Sequence, residues 1–167
     1  MDIKKSEKYI ISHRTEITNL LCRFLPTDTI LFWSNTPDLF AYQQKCWQPI
    51  LNSLNTVFKL DFKPTKSLEP IQDKSTERNF AKLLCNLSDK ELTACFLAAS
   101  EMKSVLLGFL LVKQKITLKE AFAATYLEEL YQNKFWGEDV AAQNARQITL
   151  NSLQQIEEYL KTDEKML

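Results

Sequence analysis

Residues 88–112 read Ser-Asp-Lys-Glu-Leu-Thr-Ala-Cys-Phe-Leu-Ala-Ala-Ser-Glu-Met-Lys-Ser-Val-Leu-Leu-Gly-Phe-Leu-Leu-Val. Ser88 and Glu91 form a capping-box pattern, which marks the start of a helix. The residues that follow are apolar nearly all round, so we predict one helix over 89–112 at the centre of a helical bundle. Its uncharged part, Ser104–Val112, is too short to cross a bilayer, so we expect a soluble protein without membrane insertion.

Helix-start signals extend this pattern to both sides. Thr36-Pro37-Asp38 supplies an N-cap, a proline at the first helical position and an acid in the first turn. Thr117 and Glu120 form a second capping box. We therefore predict a mainly α protein that is a single helical domain over 1–167. Its helices are expected at 3–24, 37–58, 74–86, 89–112, 118–135 and 138–161, with a frayed tail after Lys161.

Three local features refine this prediction. Pro49 lies inside the second helix and predicts a break or kink near Gln48. Residues 29–33 and 58–62 are short apolar segments that could pair as a two-stranded β piece. The last helix is amphipathic, and we place its buried stripe at Ala141, Ala145, Ile148, Ser152, Ile156 and Leu160.

The composition excludes several classes of function. Lys plus Arg and Asp plus Glu number 21 each, so the chain lacks the basic excess of nucleic-acid binders. With 2 glycines it has no Gly-rich phosphate loop. The only histidine is His13, and the 4 cysteines are widely spaced, so we expect reduced thiols, no metal site and no cofactor.

Residues 126–139, Tyr-Leu-Glu-Glu-Leu-Tyr-Gln-Asn-Lys-Phe-Trp-Gly-Glu-Asp, place two acids in an apolar, aromatic helix. No residue three or four positions from Glu128 or Glu129 is basic, so each acid needs a distant partner or water. For Glu128 that partner could be Arg146 or Arg78 of the same chain, or another protein. Glu129 points about 100° away, and we interpret it as a solvated acid.

Two further residues of this segment allow a structural interpretation. Trp136 could anchor an interface, but we expect it in the core, where it would join its helix to the next one. Gly137 is expected to end the helix at positive φ. Adjacent helical carboxylates diverge and there is no catalytic triad around a single histidine, so we do not expect an enzyme.

The order of these motifs resembles the family of assembly chaperones for the alpha subunit of F-type ATP synthase. The resemblance covers roughly residues 13–160. It is carried by Leu127–Gln132, Trp136-Gly-Glu-Asp139, Ala141-Ala142 with Arg146, Thr29–Trp33, Gln44 with Trp47–Leu51, and Ser104–Gly108 followed by Thr117 and Glu120. The chain departs from the family pattern at Ala141, where an acid is common, and at Ala145, where a basic pair is reduced to Arg146. Because the sequence begins almost at the first predicted helix, we expect the family's N-terminal β domain to be absent, either in a reduced member of the family or through truncation of the sequence.

The resemblance implies a chaperone that binds the unassembled alpha subunit and prevents its aggregation before it joins the beta subunit. The implied partner-binding residues are Glu128, Glu129, Tyr131, Phe135, Trp136 and Asp139. We expect a monomer, in a bacterial cytoplasm or, if the chain is a processed organellar protein, in the mitochondrial matrix. The alternative is a generic helical adaptor or regulator with another target.

Overall fold

The computed structural model describes residues 1–162, so the tail that was expected to fray lies outside it apart from Thr162. Over this range the chain is mainly helical, which confirms the predicted fold class, but it forms nine α-helices rather than six. They are α1 Ile3–Ser12, α2 Arg14–Phe24, α3 Pro37–Phe58, α4 Lys74–Cys85, α5 Asp89–Met102, α6 Val105–Val112, α7 Leu118–Thr125, α8 Leu127–Trp136 and α9 Val140–Lys161.

The predicted central helix is a pair of helices, α5 and α6, and all eight residues of α6 are buried. Lys103 adopts a left-handed conformation with φ 56°, and Ser104 then starts α6 by accepting a hydrogen bond from the N–H of Leu107 at 3.1 Å. Gly108 allows close contact between the pair, because a Cβ there would lie 2.9 Å from the backbone N of Ala99. The prediction of one helix over 89–112 was wrong because the apolar run did not reveal that Lys103 ends α5 and that Ser104 caps a new helix.

A buried carboxylate completes the start of α6. Asp28 is 3% exposed and accepts hydrogen bonds from Ser104 Oγ at 2.7 Å and from the N–H of Leu106 at 3.0 Å. Burial raises the pKa of Asp28 to about 6, and these hydrogen bonds offset part of that rise. The loop before α3 is thereby attached to the core.

Two other predicted helices are also divided. The first breaks at His13, whose N–H closes α1 by binding the carbonyls of Tyr9 and Ile10. The fifth breaks at Tyr126. There the indole N–H of Trp47 donates to the carbonyl of Ala124 at 3.0 Å, which occupies the acceptor that a continuous helix would offer to Glu128.

The predicted β piece is not formed. Thr29–Leu31 is a short 3₁₀ turn, and its neighbour Phe32 makes an isolated parallel bridge with Thr65. The proposed partner segment 58–62 is unavailable because the side chain of Asn55 binds both backbone groups of Phe62, each at 2.9 Å.

The predicted break near Gln48 is also absent, since α3 runs continuously through Pro49. Pro49 has no N–H to donate to the carbonyl of Lys45, four residues earlier. Both residues are exposed, so water can bind this carbonyl instead.

The buried stripe of α9 contains Ile156 as predicted, but before it the stripe lies one position later than predicted. Its buried residues are Arg146, Thr149, Leu153 and Ile156, whereas Ile148 is 65% exposed. The apolar pattern misplaced this earlier part because two polar residues, Arg146 and Thr149, are buried there.

Candidate protein-binding site on α8 and α9

Helix α3 positions α8 through a buried glutamine. Gln43 is fully buried, and its Oε1 accepts a hydrogen bond from the N–H of Ser34 at 2.7 Å. Its Nε2 donates to Oε1 of Glu128 at 2.9 Å. With both ends of its amide used, Gln43 fixes the direction in which the Glu128 carboxylate points.

Glu128 itself is exposed and its charge is not neutralised by a neighbour. Within residues 1–162 its carboxylate forms no ion pair, so pairing with Arg146 or Arg78 of the same chain was the wrong alternative. Glu128 lies in the first turn of α8, where the helix dipole favours a negative charge. This arrangement leaves an anionic group that a cationic side chain of another protein could approach.

Glu129 has a different role from the one expected. It is half-buried, and its Oε1 lies 3.4 Å from Nη1 of Arg146. Arg146 is 6% exposed and also binds Glu138 at 2.5 Å through Nη2. The interpretation of Glu129 as a solvated acid was therefore wrong, and the two acids with Arg146 join α8, the following turn and α9.

The aromatic residues of α8 differ in how far they are buried. Tyr131 is 9% exposed and its ring lies 5.7 Å from that of Tyr42 on α3 and 5.2 Å from that of Phe135. Phe135 is 63% exposed and Trp136 is 84% exposed, so the expectation that Trp136 lies in the core was wrong.

These exposed rings lie beside the turn between α8 and α9. Gly137 has φ 76°, as expected, and no atom lies within 4 Å of where its Cβ would be. Val140, just after the turn, is 68% exposed. We call Phe135, Trp136 and Val140 the apolar patch.

Asp139 serves the fold at this turn. It is the N-cap of α9 and its Oδ1 accepts a hydrogen bond from the N–H of Ala141 at 3.2 Å. Of the six residues expected to bind a partner, Glu128, Phe135 and Trp136 are exposed and form no ion pair within residues 1–162. Tyr131 is buried, Glu129 pairs with Arg146, and Asp139 caps α9.

Sequence reasoning missed Gln43 and Val140. The resemblance pointed to Gln44, which is exposed. The available signal was helical spacing, because Gln43 is four residues before the buried Trp47 and shares its face.

Other features of the described residues do not involve this site. A cavity of about 400 Å³ lies between α2, α5 and the start of α6, next to Asp28. Over 1–162, no group of three potential metal ligands occurs, and none of the helices has both the length and the apolar character needed to span a membrane.

Comparison with known proteins gives matches in both sequence and fold. The chain is 28% identical over 142 residues to the mitochondrial protein atp12 of Schizosaccharomyces pombe, a match covering 80% of this chain and 47% of that protein. The crystal structure of Atp12 from Paracoccus denitrificans superposes with a TM-score of 0.87 and 20% identity, covering 93% of this chain and 67% of the other. In sequence and in fold, the chain is thus similar to the Atp12 proteins.

A candidate chaperone from Agrobacterium tumefaciens has the same fold, with a TM-score of 0.79 and 26% identity over 91% of this chain and 59% of that one. No model of a known protein family matches the sequence. The chain spans about half the length of its curated Atp12 relative, and its helical elements account for the shared fold.

Proposed function

We propose that this protein is an assembly chaperone of F-type ATP synthase that holds the unassembled alpha subunit. The observation that carries the proposal is the exposed carboxylate of Glu128, which has no cationic partner within residues 1–162 and lies on the same helix as exposed aromatic rings. The likeness to Atp12 proteins supports it.

The charge of Glu128 suits recognition of a basic group. A carboxylate fixed by Gln43 at 2.9 Å loses little side-chain freedom when a cation binds it. A hydrogen-bonded, charge-assisted contact to Arg or Lys would then be stronger than a contact between neutral groups. Glu128 would thus select a basic site on the alpha subunit.

The apolar patch suits the holding of an unassembled subunit. Such a subunit exposes the apolar surface that later contacts its neighbour, and this surface promotes aggregation. Phe135, Trp136 and Val140 would cover part of it, and Trp is a residue type that often dominates binding energy. Release would follow when the beta subunit, with a larger complementary surface, binds more tightly.

No catalytic step, metal or cofactor is part of this function. The protein would act where the soluble catalytic head of the synthase is assembled, which is the bacterial cytoplasm or the mitochondrial matrix. The relative from Schizosaccharomyces pombe is mitochondrial.

The test uses separately purified alpha and beta subunits. Titration calorimetry measures binding to each, and light scattering measures aggregation of alpha. We expect binding to alpha and not to beta, together with suppression of alpha aggregation at equimolar chaperone. Equal binding to both subunits, or to neither, would overturn the proposal in favour of an adaptor with another target.

A further inference from the structure

The outer surface of α9 carries no charge along most of its length. Between Asp139 and Glu157 the only charged residue is Arg146, and that residue is buried. The exposed positions are occupied by small, apolar or amide side chains, namely Val140, Ala141, Gln143, Asn144, Ala145, Gln147, Ile148, Asn151, Gln154 and Gln155. One quarter of the whole chain is charged, so this face differs from the rest of the surface.

An apolar stripe runs along this face. Ala141, Ala145 and Ile148 follow one another at helical spacing, rotated by about 100° from the buried stripe of Arg146 and Thr149. Ile148 is 65% exposed, a large fraction for a branched apolar side chain with no polar atom. The short side chains of Ala141 and Ala145, which precede Ile148, would let another backbone approach α9 closely.

The stripe begins next to Val140, a member of the apolar patch. Val140 is 68% exposed and belongs to the first turn of α9, and Trp136 lies just before it across the turn. Exposed apolar residues therefore recur from the end of α8 along at least two turns of α9, with the exposed acids Glu138 and Asp139 in the turn between the helices. Depletion of charge is the compositional mark of the centre of a protein interface.

We propose that the outer face of α9, centred on Ala145 and Ile148, is a second part of the binding surface and takes an uncharged, apolar segment of the same alpha subunit. This inference rests on the proposed function and assigns different roles to two parts of the binding surface. Glu128 meets a basic group, while α9 covers a neutral segment, because placing a charged segment against a face without counter-charges would cost desolvation without compensation.

The charge pattern also argues against a nucleic acid or a membrane surface as occupant. Phosphates and anionic lipids are bound through Lys and Arg, and the exposed positions between Asp139 and Glu157 include neither. A second copy of this chain is the competing occupant, since an uncharged apolar face can pair with itself.

The experiment compares two substitutions of the same kind. Ala145→Lys places a charge on the proposed face, and Ala123→Lys places one at another exposed helical alanine, on α7. Lysine is a good helix former, so both variants should keep the helix content and thermal midpoint of the wild type. We expect roughly tenfold weaker binding of the alpha subunit by Ala145→Lys and a change of less than about twofold by Ala123→Lys. Ile148→Gln is the second variant, expected to weaken binding about threefold without adding a charge.

The outcomes separate this inference from the proposed function. If the wild type binds alpha and both α9 variants bind it equally well, the inference is wrong and the proposed function stands. If the wild type does not bind alpha, the proposed function itself fails. If sedimentation shows a wild-type dimer that Ala145→Lys dissociates without change in alpha binding, the face is a self-association surface and the inference is overturned.

Discussion

Gln43 on α3 and Glu128 on α8 are joined by a hydrogen bond of 2.9 Å, and the amide of Gln43 is fully buried. The same amide accepts a hydrogen bond from the N–H of Ser34. A single side chain thus couples the start of α3, the position of α8 and the orientation of the carboxylate that we propose for recognition.

Replacement of Gln43 should destabilise the fold as well as weaken binding. Gln43→Leu leaves the N–H of Ser34 without its partner in a partly buried site, which we expect to cost about 2 kcal/mol in the free energy of unfolding. Urea denaturation measures it. Gln44→Leu is the matched control, because Gln44 is exposed on the same helix. Equal stability of the two variants would show that the buried amide is not needed.

Trp136 should matter for binding and not for stability. It is 84% exposed, so Trp136→Ala is expected to change the free energy of unfolding by less than about 0.5 kcal/mol. Its affinity for the alpha subunit should fall at least tenfold, or about 1.4 kcal/mol. The control Trp47→Phe, which removes the bond to Ala124, should cost about 1–3 kcal/mol of stability. A large loss of stability in Trp136→Ala would contradict the exposed placement.

Arg146 should hold α8 and α9 together. Arg146→Met removes the partner of Glu129 and Glu138, which are themselves partly exposed, so we expect a loss of about 1–3 kcal/mol rather than the larger cost of a fully buried pair. Thermal unfolding measures it, with Arg78→Met as the exposed control. Indistinguishable midpoints would mean that the ion pairs do not stabilise the turn.

Asp28 should contribute more to the free energy of unfolding in mild acid than at neutral pH. Desolvation raises its pKa from 3.8 to about 6, so between these values the folded state binds a proton that the unfolded state releases. Stability from this group is therefore lost as the pH rises through that window, by an amount of order 2–3 kcal/mol. The measurement is the difference in unfolding free energy between wild type and Asp28→Asn, at about pH 4 and pH 7.5. A difference that is independent of pH would refute the raised pKa.

The sequence identified features that depend on local chemistry. The capping boxes at Ser88 and Thr117 form as predicted, with both reciprocal hydrogen bonds. Gly137 ends α8 at positive φ because few other residues adopt that conformation. The helical class and the likeness to the chaperone family also followed from the sequence.

The predictions that were wrong concern features that depend on contacts between residues distant in the sequence. The break at Tyr126 accompanies an indole hydrogen bond from Trp47, far away in the sequence. The buried residues in the first half of α9 were misplaced because Arg146 faces inward and pairs with acids of α8 and of the preceding turn. The exposure of Trp136 depends on the direction that the chain takes after α8, and helical periodicity gives no information about that direction.

The most direct test of the account is titration of the alpha subunit with wild type, Glu128→Gln and Glu128→Lys. We predict weaker binding by Glu128→Gln, with a thermal midpoint within about 3 °C of the wild type, because an amide oxygen can still accept the hydrogen bond from Gln43. We predict loss of detectable binding by Glu128→Lys, with a midpoint lowered by only about 2–8 °C, because the lysine breaks no ion pair of the described fold but leaves the Nε2 of Gln43 without its acceptor. Unchanged affinity of the lysine variant, or its unfolding under the same conditions, would contradict the claim that this carboxylate is free for a partner.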